Sequence, residues 1–203
     1  MPFPTIDSTV KGFLADDEAQ ALFDYGVQSA SLGPLLEIGS YCGKSAIVLG
    51  NACKDTDNCL FAIDHHAGSE EHQIGEFFHD PELVDQDTQR FDSFKAFRKN
   101  IANAGVTEQV IPIVASSTIA AQQWATPLGM VFIDGGHSLD AALEDYRCWS
   151  GFIVRGGILA IHDVFPNPAK GGHAPFTINK LAEQSGLFEK LGLVNSLAIF
   201  RRV

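Results

Sequence analysis

The stretch Pro34-Leu-Leu-Glu-Ile-Gly39-Ser-Tyr-Cys-Gly43-Lys-Ser45 decides the fold, because it joins a short apolar strand to a helix through a glycine turn. Gly39 and Gly43 have no side chain, so they let the backbone turn sharply and come close to a ligand. The N-terminus of the helix that follows attracts negative charge. This order of elements is typical of the first unit of a parallel α/β sheet with a ligand site at the turn.

Three kinds of ligand loop compete for this stretch. A P-loop needs G-x-x-x-x-G-K-[ST], and the segment from Gly39 to Ser45 is one residue too short for it. A dinucleotide-binding loop needs G-x-G-x-x-G, and Ser40-Tyr41 stand where its middle glycine belongs. The E-x-G-x-x-x-G loop of S-adenosylmethionine sites fits from Glu37 to Gly43 without alteration. We favour this third interpretation, with a purely structural turn as the remaining alternative.

Outward from this loop, strands and helices alternate along the chain. Hydrophobic periodicity predicts helices over 16–30, 44–53, 91–104, 118–124, 141–151 and 175–185. The predicted strands cover 34–39, 59–64, 110–115, 130–134, 157–163, 188–194 and 196–202. The first five are almost continuously apolar, which predicts a parallel sheet covered by helices on both faces. The last two are joined too tightly for a parallel crossover, so the final strand is expected to be antiparallel.

The polar stretch 65–90 has no periodicity and predicts an inserted lid loop in a single domain over 1–203. No zinc motif matches the spacing of its acidic residues and histidines, so we expect them to line an acceptor pocket or to face solvent. They are His65, His66, Glu70, Glu71, His72, His79 and Asp80. The helix of the N-terminal extension, 1–32, is expected either to close over the site or to pair two copies of the chain.

Polar residues follow the predicted strands at the edge where ligands of such sheets bind. Asp64 ends the second strand, where an acid accepts hydrogen bonds from both hydroxyls of a ribose. Ser116 follows the third strand, where it would meet the edge of an adenine. The sequence therefore predicts a nucleoside site along this edge.

The segments Phe132-Ile-Asp-Gly-Gly-His137 and Ile161-His-Asp163 bring two carboxylates and two imidazoles to the same edge. Oxygen ligands suit Mg²⁺, and an added imidazole suits Mn²⁺, so Asp134, His162 and Asp163 are candidate metal ligands. His162 or His137 is alternatively a general base near neutral pH. A structural interpretation, in which His162 packs on the sheet and Asp163 caps a turn, stays open.

Composition argues against several other classes of protein. Fourteen basic against 25 acidic residues give a formal charge of −11 without a basic patch, which argues against a nucleic-acid partner. The four cysteines form no C-x-x-C pair or framework, so we expect reduced thiols in the cytoplasm. No signal peptide is apparent and the apolar runs are too short for a membrane span, so no membrane partner is expected.

Together these motifs resemble those of class I S-adenosylmethionine-dependent methyltransferases. They are more narrowly similar to a small bacterial O-methyltransferase group with F-I-D-G-G-H at 132–137 and I-H-D-V at 161–164. The resemblance implies a Rossmann-like seven-stranded α/β sheet with an antiparallel last strand, and transfer of a methyl group to a hydroxyl of a sugar or natural product. It also implies S-adenosylmethionine as cofactor and, as in several relatives, Mg²⁺ held by the strand-end acids Asp134 and Asp163, with His162 or Mn²⁺ added only by the ligand chemistry above.

By the resemblance, Gly39, Gly43 and Asp64 would hold the cofactor. The full set of candidate cofactor residues is Glu37, Gly39, Ser40, Tyr41, Gly43, Ser45, Asp64, His65, Ser116 and Asp134. The catalytic candidates are His162, Asp134 and His137. One departure bears on the metal, because several metal-dependent relatives carry two acids after the fifth strand and His162 stands in place of the first. A metal-independent methyltransferase with His162 as general base is therefore an alternative. A nicotinamide oxidoreductase, a P-loop hydrolase or a non-catalytic binding protein would use the same sheet.

Overall fold

The computed structural model describes residues 2–69, 80–165, 167 and 172–203, in which strands and helices alternate. The strands are β1 (Leu35–Ile38), β2 (Leu60–Ile63), β3 (Val110–Ile113), β4 (Leu128–Ile133), β5 (Ile153–Ile161), β6 (Phe188–Val194) and β7 (Leu197–Arg202). The helices are α1 (Asp16–Ala30), α2 (Lys44–Ala52), α3 (Phe94–Asn103), α4 (Ser117–Ala121), α5 (Leu139–Trp149) and α6 (His173–Gln184). Short 3₁₀ turns cover Pro81–Leu83 and Ser150–Phe152.

The strands form one sheet in the order β3-β2-β1-β4-β5-β7-β6. Strands β1 to β5 are parallel, and β7 runs antiparallel between β5 and β6. The predicted fold class, a Rossmann-like methyltransferase sheet with an antiparallel last strand, is confirmed. The chain order reverses between β1 and β4, and in open α/β sheets such a reversal opens a crevice at the carboxyl ends of the strands.

Helices cover both faces of the sheet, and alternate residues of each central strand point to opposite layers. Met130 and Phe132 of β4 pack in the layer that contains α1, α2 and α3. Val131 and Ile133 pack in the other layer, against Trp149 of α5 and the residues of α6. Burial on both faces explains why the central strands are almost continuously apolar in sequence.

Several predicted boundaries differ from the structure, and two of the larger differences have a clear cause. Helix α3 begins at Phe94 rather than at residue 91, because Phe91 pairs with Val84 in an antiparallel bridge and is not helical. Strand β5 begins at Ile153, four residues before the predicted start, because it pairs with β4 from Leu128 onward across a register shift. In both cases the apolar periodicity identified the element, but not the strand or bridge pairing that determines where the element begins.

Helix α1 packs against α2 and the sheet of its own chain, so the N-terminal extension folds onto the domain that carries the site. Pairing of two copies stays a prediction. Lys11 forms ion pairs with Asp80 and Glu82, which lie within the predicted lid. The lid residues Glu70, Glu71, His72 and His79 lie outside the described residues. Among the helices in the described residues, none combines the length and apolarity that crossing a bilayer requires.

Candidate active site

A cavity of about 350 Å³ opens at the carboxyl ends of β1, β2 and β4, where the strand order reverses. Its size is within the range of small-molecule sites. Of the residues predicted from sequence, seven line it: Gly39, Tyr41, Asp64, His65, Ser116, Asp134 and His137. The topology therefore brings the predicted strand-end residues to one crevice.

The turn after β1 requires glycine at Gly39. Its φ is +90°, and a Cβ atom built there would lie 2.0 Å from the carbonyl oxygen of Asp134. The amide of Asp134 also donates to the carbonyl of Ile38, at 2.9 Å, so the ends of β1 and β4 are joined directly. This close approach shapes the floor of the cavity.

Asp64 is held in a fixed orientation at the wall of the cavity. The backbone amide of Tyr41 donates to its Oδ2 at 2.8 Å, and the amide of His66 donates to its Oδ1 at 2.7 Å. A carboxylate oxygen has more than one lone pair, so each oxygen can still accept a hydroxyl proton from a ligand. The geometry suits the predicted role of Asp64 as an acceptor for two ribose hydroxyls.

The other predicted loop residues lie beneath the cavity rather than along it. Glu37, Ser40 and Ser45 are buried, and Gly43 is the residue before α2, with a φ of +90°. Among the described residues, neither carboxyl oxygen of Glu37 nor the hydroxyl of Ser40 makes a hydrogen bond of standard geometry, although the hydroxyls of Ser40 and Ser45 lie close enough to the Glu37 carboxyl to favour its ionised form. Burial raises the pKa of Glu37 to about 8. Buried polar groups without partners are rare and commonly mark the place of a water or a ligand.

Ser116 also lines the cavity, as the residue before α4, together with residues from the first half of α5. Asp145 of α5 is buried there, and burial raises its pKa to about 6. Ser117 accepts a hydrogen bond from the indole of Trp149 at 2.7 Å. Asp145 was not among the residues predicted from sequence. The only sequence signal for it was its spacing, three residues after Ala142 and four before Trp149, which places it on the buried face of α5.

Asp134, His162 and Asp163 each offer one ligand atom within a group whose members lie at most 4.8 Å apart. His162 Nδ1 lies 2.9 Å from Asp134 Oδ1 and 3.5 Å from Asp163 Oδ2. Asp163 has a φ of +56°, and a non-glycine residue in this region is strained. The three candidate metal ligands are therefore brought together at the end of β4 and β5.

The ring of His162 is buried, with both nitrogens engaged by acids. Its Nε2 lies 3.0 Å from Glu18 Oε2, on the opposite side of the ring from Asp134. Burial by itself would lower the pKa of His162, but the facing carboxylates outweigh it and raise the pKa to about 12. A ring so enclosed lies outside the cavity lining and does not reach an acceptor molecule, which argues against His162 as the general base.

His137 is the imidazole that lines the cavity. Its Nε2 lies 3.1 Å from Asp163 Oδ2, and about a third of its side chain is exposed. Burial would raise the pKa of Asp163, but its contacts with His137 and His162 lower it overall. An imidazole oriented by an ionised carboxylate at a ligand cavity is the usual arrangement of a general base.

Sequence reasoning missed Glu18. This residue lies in the first turn of α1, where three consecutive acids complement the helix dipole, so its acidity has an ordinary local explanation. The signal that distinguishes it from Asp16 and Asp17 is its position on the buried face of the helix.

Solved structures with this fold include several methyltransferases. The O-methyltransferase NovP matches with a TM-score of 0.68 at 15% identity, over 92% of this chain and 80% of NovP. Cofactor-bound Rv0187 from MTB matches with a TM-score of 0.65 at 14% identity, over 97% of this chain and 83% of Rv0187. The O-methyltransferase TomG from Streptomyces achromogenes has a TM-score of 0.58 at 16% identity, over 97% of this chain and 92% of TomG. At these identities the likeness shows the fold.

The sequence itself matches a family model, described as a methyltransferase domain, over residues 36–164. This span includes the glycine loop, Asp64 and the F-I-D-G-G-H and I-H-D-V segments, and it covers more than half of the 203 residues. The chain therefore belongs to the methyltransferase-domain family, and the expectation that it is an S-adenosylmethionine-dependent methyltransferase is confirmed.

Proposed function

We propose that this enzyme transfers the methyl group of S-adenosylmethionine to a hydroxyl oxygen of a small molecule, with a sugar or natural product as the acceptor class. The observation that carries the proposal is one cavity with two chemically different ends. Gly39, Asp64 and Ser116 line a part suited to a nucleoside, and Asp134 and His137 line a part suited to a proton-bearing acceptor. NovP and TomG, which share the fold, are O-methyltransferases, and TomG was solved with S-adenosylmethionine.

The residues of the loop fit the cofactor. Glu37 and Ser40 are buried next to the glycine loop, and no side chain fits at Gly39 itself. Asp64 holds two oxygens at fixed positions for ribose hydroxyls, and Ser116 lies where an adenine edge would meet α4. S-adenosylmethionine supplies a methyl group that is already activated on a sulfonium. The chain must therefore align an acceptor oxygen and take its proton, and alignment alone can contribute roughly 7–11 kcal/mol to the lowering of the barrier.

Weakened cofactor binding is expected when Asp64 is replaced by Asn. An amide has one acceptor oxygen, so its NH₂ group must face either the amide of Tyr41 or that of His66, which both donate to Asp64. One charge-assisted hydrogen bond to a hydroxyl is also lost, which contributes roughly 1.5–3 kcal/mol. The dissociation constant for S-adenosylmethionine, measured by titration calorimetry, should rise roughly 10- to 150-fold.

Asp55→Asn is the matched control for this substitution, because Asp55 is an exposed acid on the turn after α2. It should bind the cofactor as the wild type does. An unchanged dissociation constant in Asp64→Asn would remove the ribose role of Asp64.

A divalent cation fits the group formed by Asp134, His162 and Asp163. The separations of 2.9 and 3.5 Å between their atoms resemble the spacing of neighbouring ligands around one ion, since oxygen and nitrogen ligands lie roughly 2.0–2.2 Å from Mg²⁺ or a transition metal. Metal-bound histidines nearly always donate their other ring N–H to an acceptor, and Glu18 faces Nε2 of His162 in that way. A bound cation would supply a Lewis acid beside the acceptor hydroxyl.

Removal of divalent metal is expected to abolish methyl transfer, and Mg²⁺ or Mn²⁺ should restore it. The reason is that Asp163 and Asp134 present carboxylates to one point, and His162 completes a set that suits these ions. The measurement is turnover after dialysis against EDTA, followed by addition of each metal, with Mn²⁺ binding measured separately by calorimetry. Full activity of the dialysed enzyme would instead favour proton transfer by His137 without a metal.

His137 is placed to take the proton of the acceptor in either case. It lines the cavity, and its contact with Asp163 orients the ring. The buried ring of His162 then serves to hold Asp134 and Asp163 rather than to contact the acceptor. This assignment keeps the three residues predicted from sequence at the reacting edge and separates their tasks.

A further inference from the structure

Glu18 is the centre of a buried hydrogen-bond network that links three distant parts of the chain. Its Oε1 accepts from the backbone amide of Ser196 at 2.9 Å and from the Ser196 hydroxyl at 2.6 Å. Its Oε2 accepts from the amide of Ala15 at 2.9 Å and faces His162 Nε2 at 3.0 Å. Only 1% of Glu18 is exposed, so water could not replace a hydrogen bond that was lost here.

This network determines that Nε2 of His162 carries a hydrogen. Both oxygens of Glu18 are acceptors, and Ser196 and Ala15 surround them with donors only. The remaining partner must also be a donor, so Nε2 of His162 carries a hydrogen. Nδ1 lies 2.9 Å from the Asp134 carboxylate, which only accepts, so it carries a hydrogen as well until a bound cation replaces it.

We propose, building on the function proposed above, that Glu18 is a positioning residue of the active site: it fixes His162 with Nε2–H toward the N-terminal helix and Nδ1 toward Asp134 and Asp163. Glu18 touches neither the cavity nor the candidate ligands Asp134 and Asp163, and it acts through the imidazole. The N-terminal helix thereby contributes a residue to a site built from the ends of β4 and β5, at a separation of 144 residues in sequence.

Glu18→Gln separates this role from simple packing, because the two side chains have nearly the same shape. A glutamine has one acceptor oxygen, and the amide and hydroxyl of Ser196 both donate to the position of Oε1. If the oxygen faces Ser196, the NH₂ group faces the Ala15 amide and Nε2 of His162, which are both donors in the wild type. Nε2 must then give up its hydrogen or lose its partner, and Nδ1 keeps the hydrogen that faces Asp134.

The test is ¹⁵N NMR of the full chain labelled at histidine, with the His162 ring assigned by its absence in His162→Asn. In the wild type without added metal we expect protons on both Nε2 and Nδ1, and in Glu18→Gln a proton on Nδ1 alone. In the same variant kcat should fall about 10- to 100-fold, as for other residues that orient a ligand histidine, with KM for S-adenosylmethionine unchanged. Asp16→Asn, an exposed acid of the same helical turn, should change neither readout.

The wild-type spectrum alone can overturn the proposal, whether or not Glu18→Gln folds. A wild-type ring protonated only at Nδ1 would contradict it, as would Glu18→Gln with wild-type ring signals and wild-type kcat. A fall in kcat accompanied by an equal rise in KM and unchanged ring signals would show general packing damage and would also contradict it. The spectrum does not depend on methyl transfer, so an inactive wild type with Nε2–H would reject the proposed function and support the role of Glu18.

Discussion

Asp134→Asn is expected to lose methyl transfer while it still binds S-adenosylmethionine. Asp134 is the residue at which the cofactor cavity, the candidate metal group and the buried histidine meet. Asparagine keeps the shape and one acceptor for His162, and the backbone bond from residue 134 to Ile38 does not involve the side chain. The fold should therefore survive, but the charge that would promote loss of the acceptor proton is gone. We expect kcat to fall roughly 10²–10⁴-fold, the range of a lost acid–base contribution.

The measurement pairs single-turnover kinetics with cofactor binding by calorimetry. Binding within a few-fold of the wild type is part of the expectation, because Asp64 and the Gly39 loop remain intact. Asp140→Asn serves as the control, since Asp140 is an exposed acid in the first turn of α5. Wild-type turnover in Asp134→Asn would exclude both a metal and a proton-transfer role for this residue.

Much of the fold could be predicted because its rules are local. The apolar strands and the tight turn at Asn195 depend on neighbouring residues, and the parallel core with an antiparallel last strand follows from them. Where an element ends depends on distant pairing, which explains the errors at Phe91 and Ile153. The strand-end site residues Asp64 and Asp134 were predictable for a related reason, since parallel strands end at one edge of the sheet.

How deeply each site residue is buried could not be predicted from local sequence patterns. His162 follows β5 as expected, but its burial depends on Glu18, which reaches it from a helix at the other end of the chain. Local patterns give Glu18 an ordinary role at the start of α1, and nothing near it in sequence refers to His162. The same limit applies to Asp145, whose place in the cavity wall follows from the packing of α5 against α4.

Gly39→Ala is expected to abolish cofactor binding. The Cβ atom would lie 2.0 Å from the carbonyl oxygen of Asp134, a backbone atom that cannot move aside as a flexible side chain can. The ends of β1 and β4 would have to separate, and these ends form the floor of the cavity between the nucleoside and acceptor parts. We expect the dissociation constant for S-adenosylmethionine to rise at least about 100-fold, equivalent to about 2.7 kcal/mol, with methyl transfer lost as well.

Gly39→Ala combines a backbone penalty for alanine at positive φ with a steric overlap with Asp134. Gly105→Ala shows the backbone penalty alone. Gly105 also has a positive φ, +65°, but a Cβ atom there meets nothing within 4 Å. It should therefore show only the backbone penalty of alanine in this region, about 1–2 kcal/mol, seen as a fall of a few degrees in Tm with normal cofactor binding. Gly39→Ala should lose more stability than that, because the overlap with Asp134 adds to the same penalty. If both variants fell equally in Tm and both bound the cofactor, the close approach of β1 and β4 would not be what forms the site.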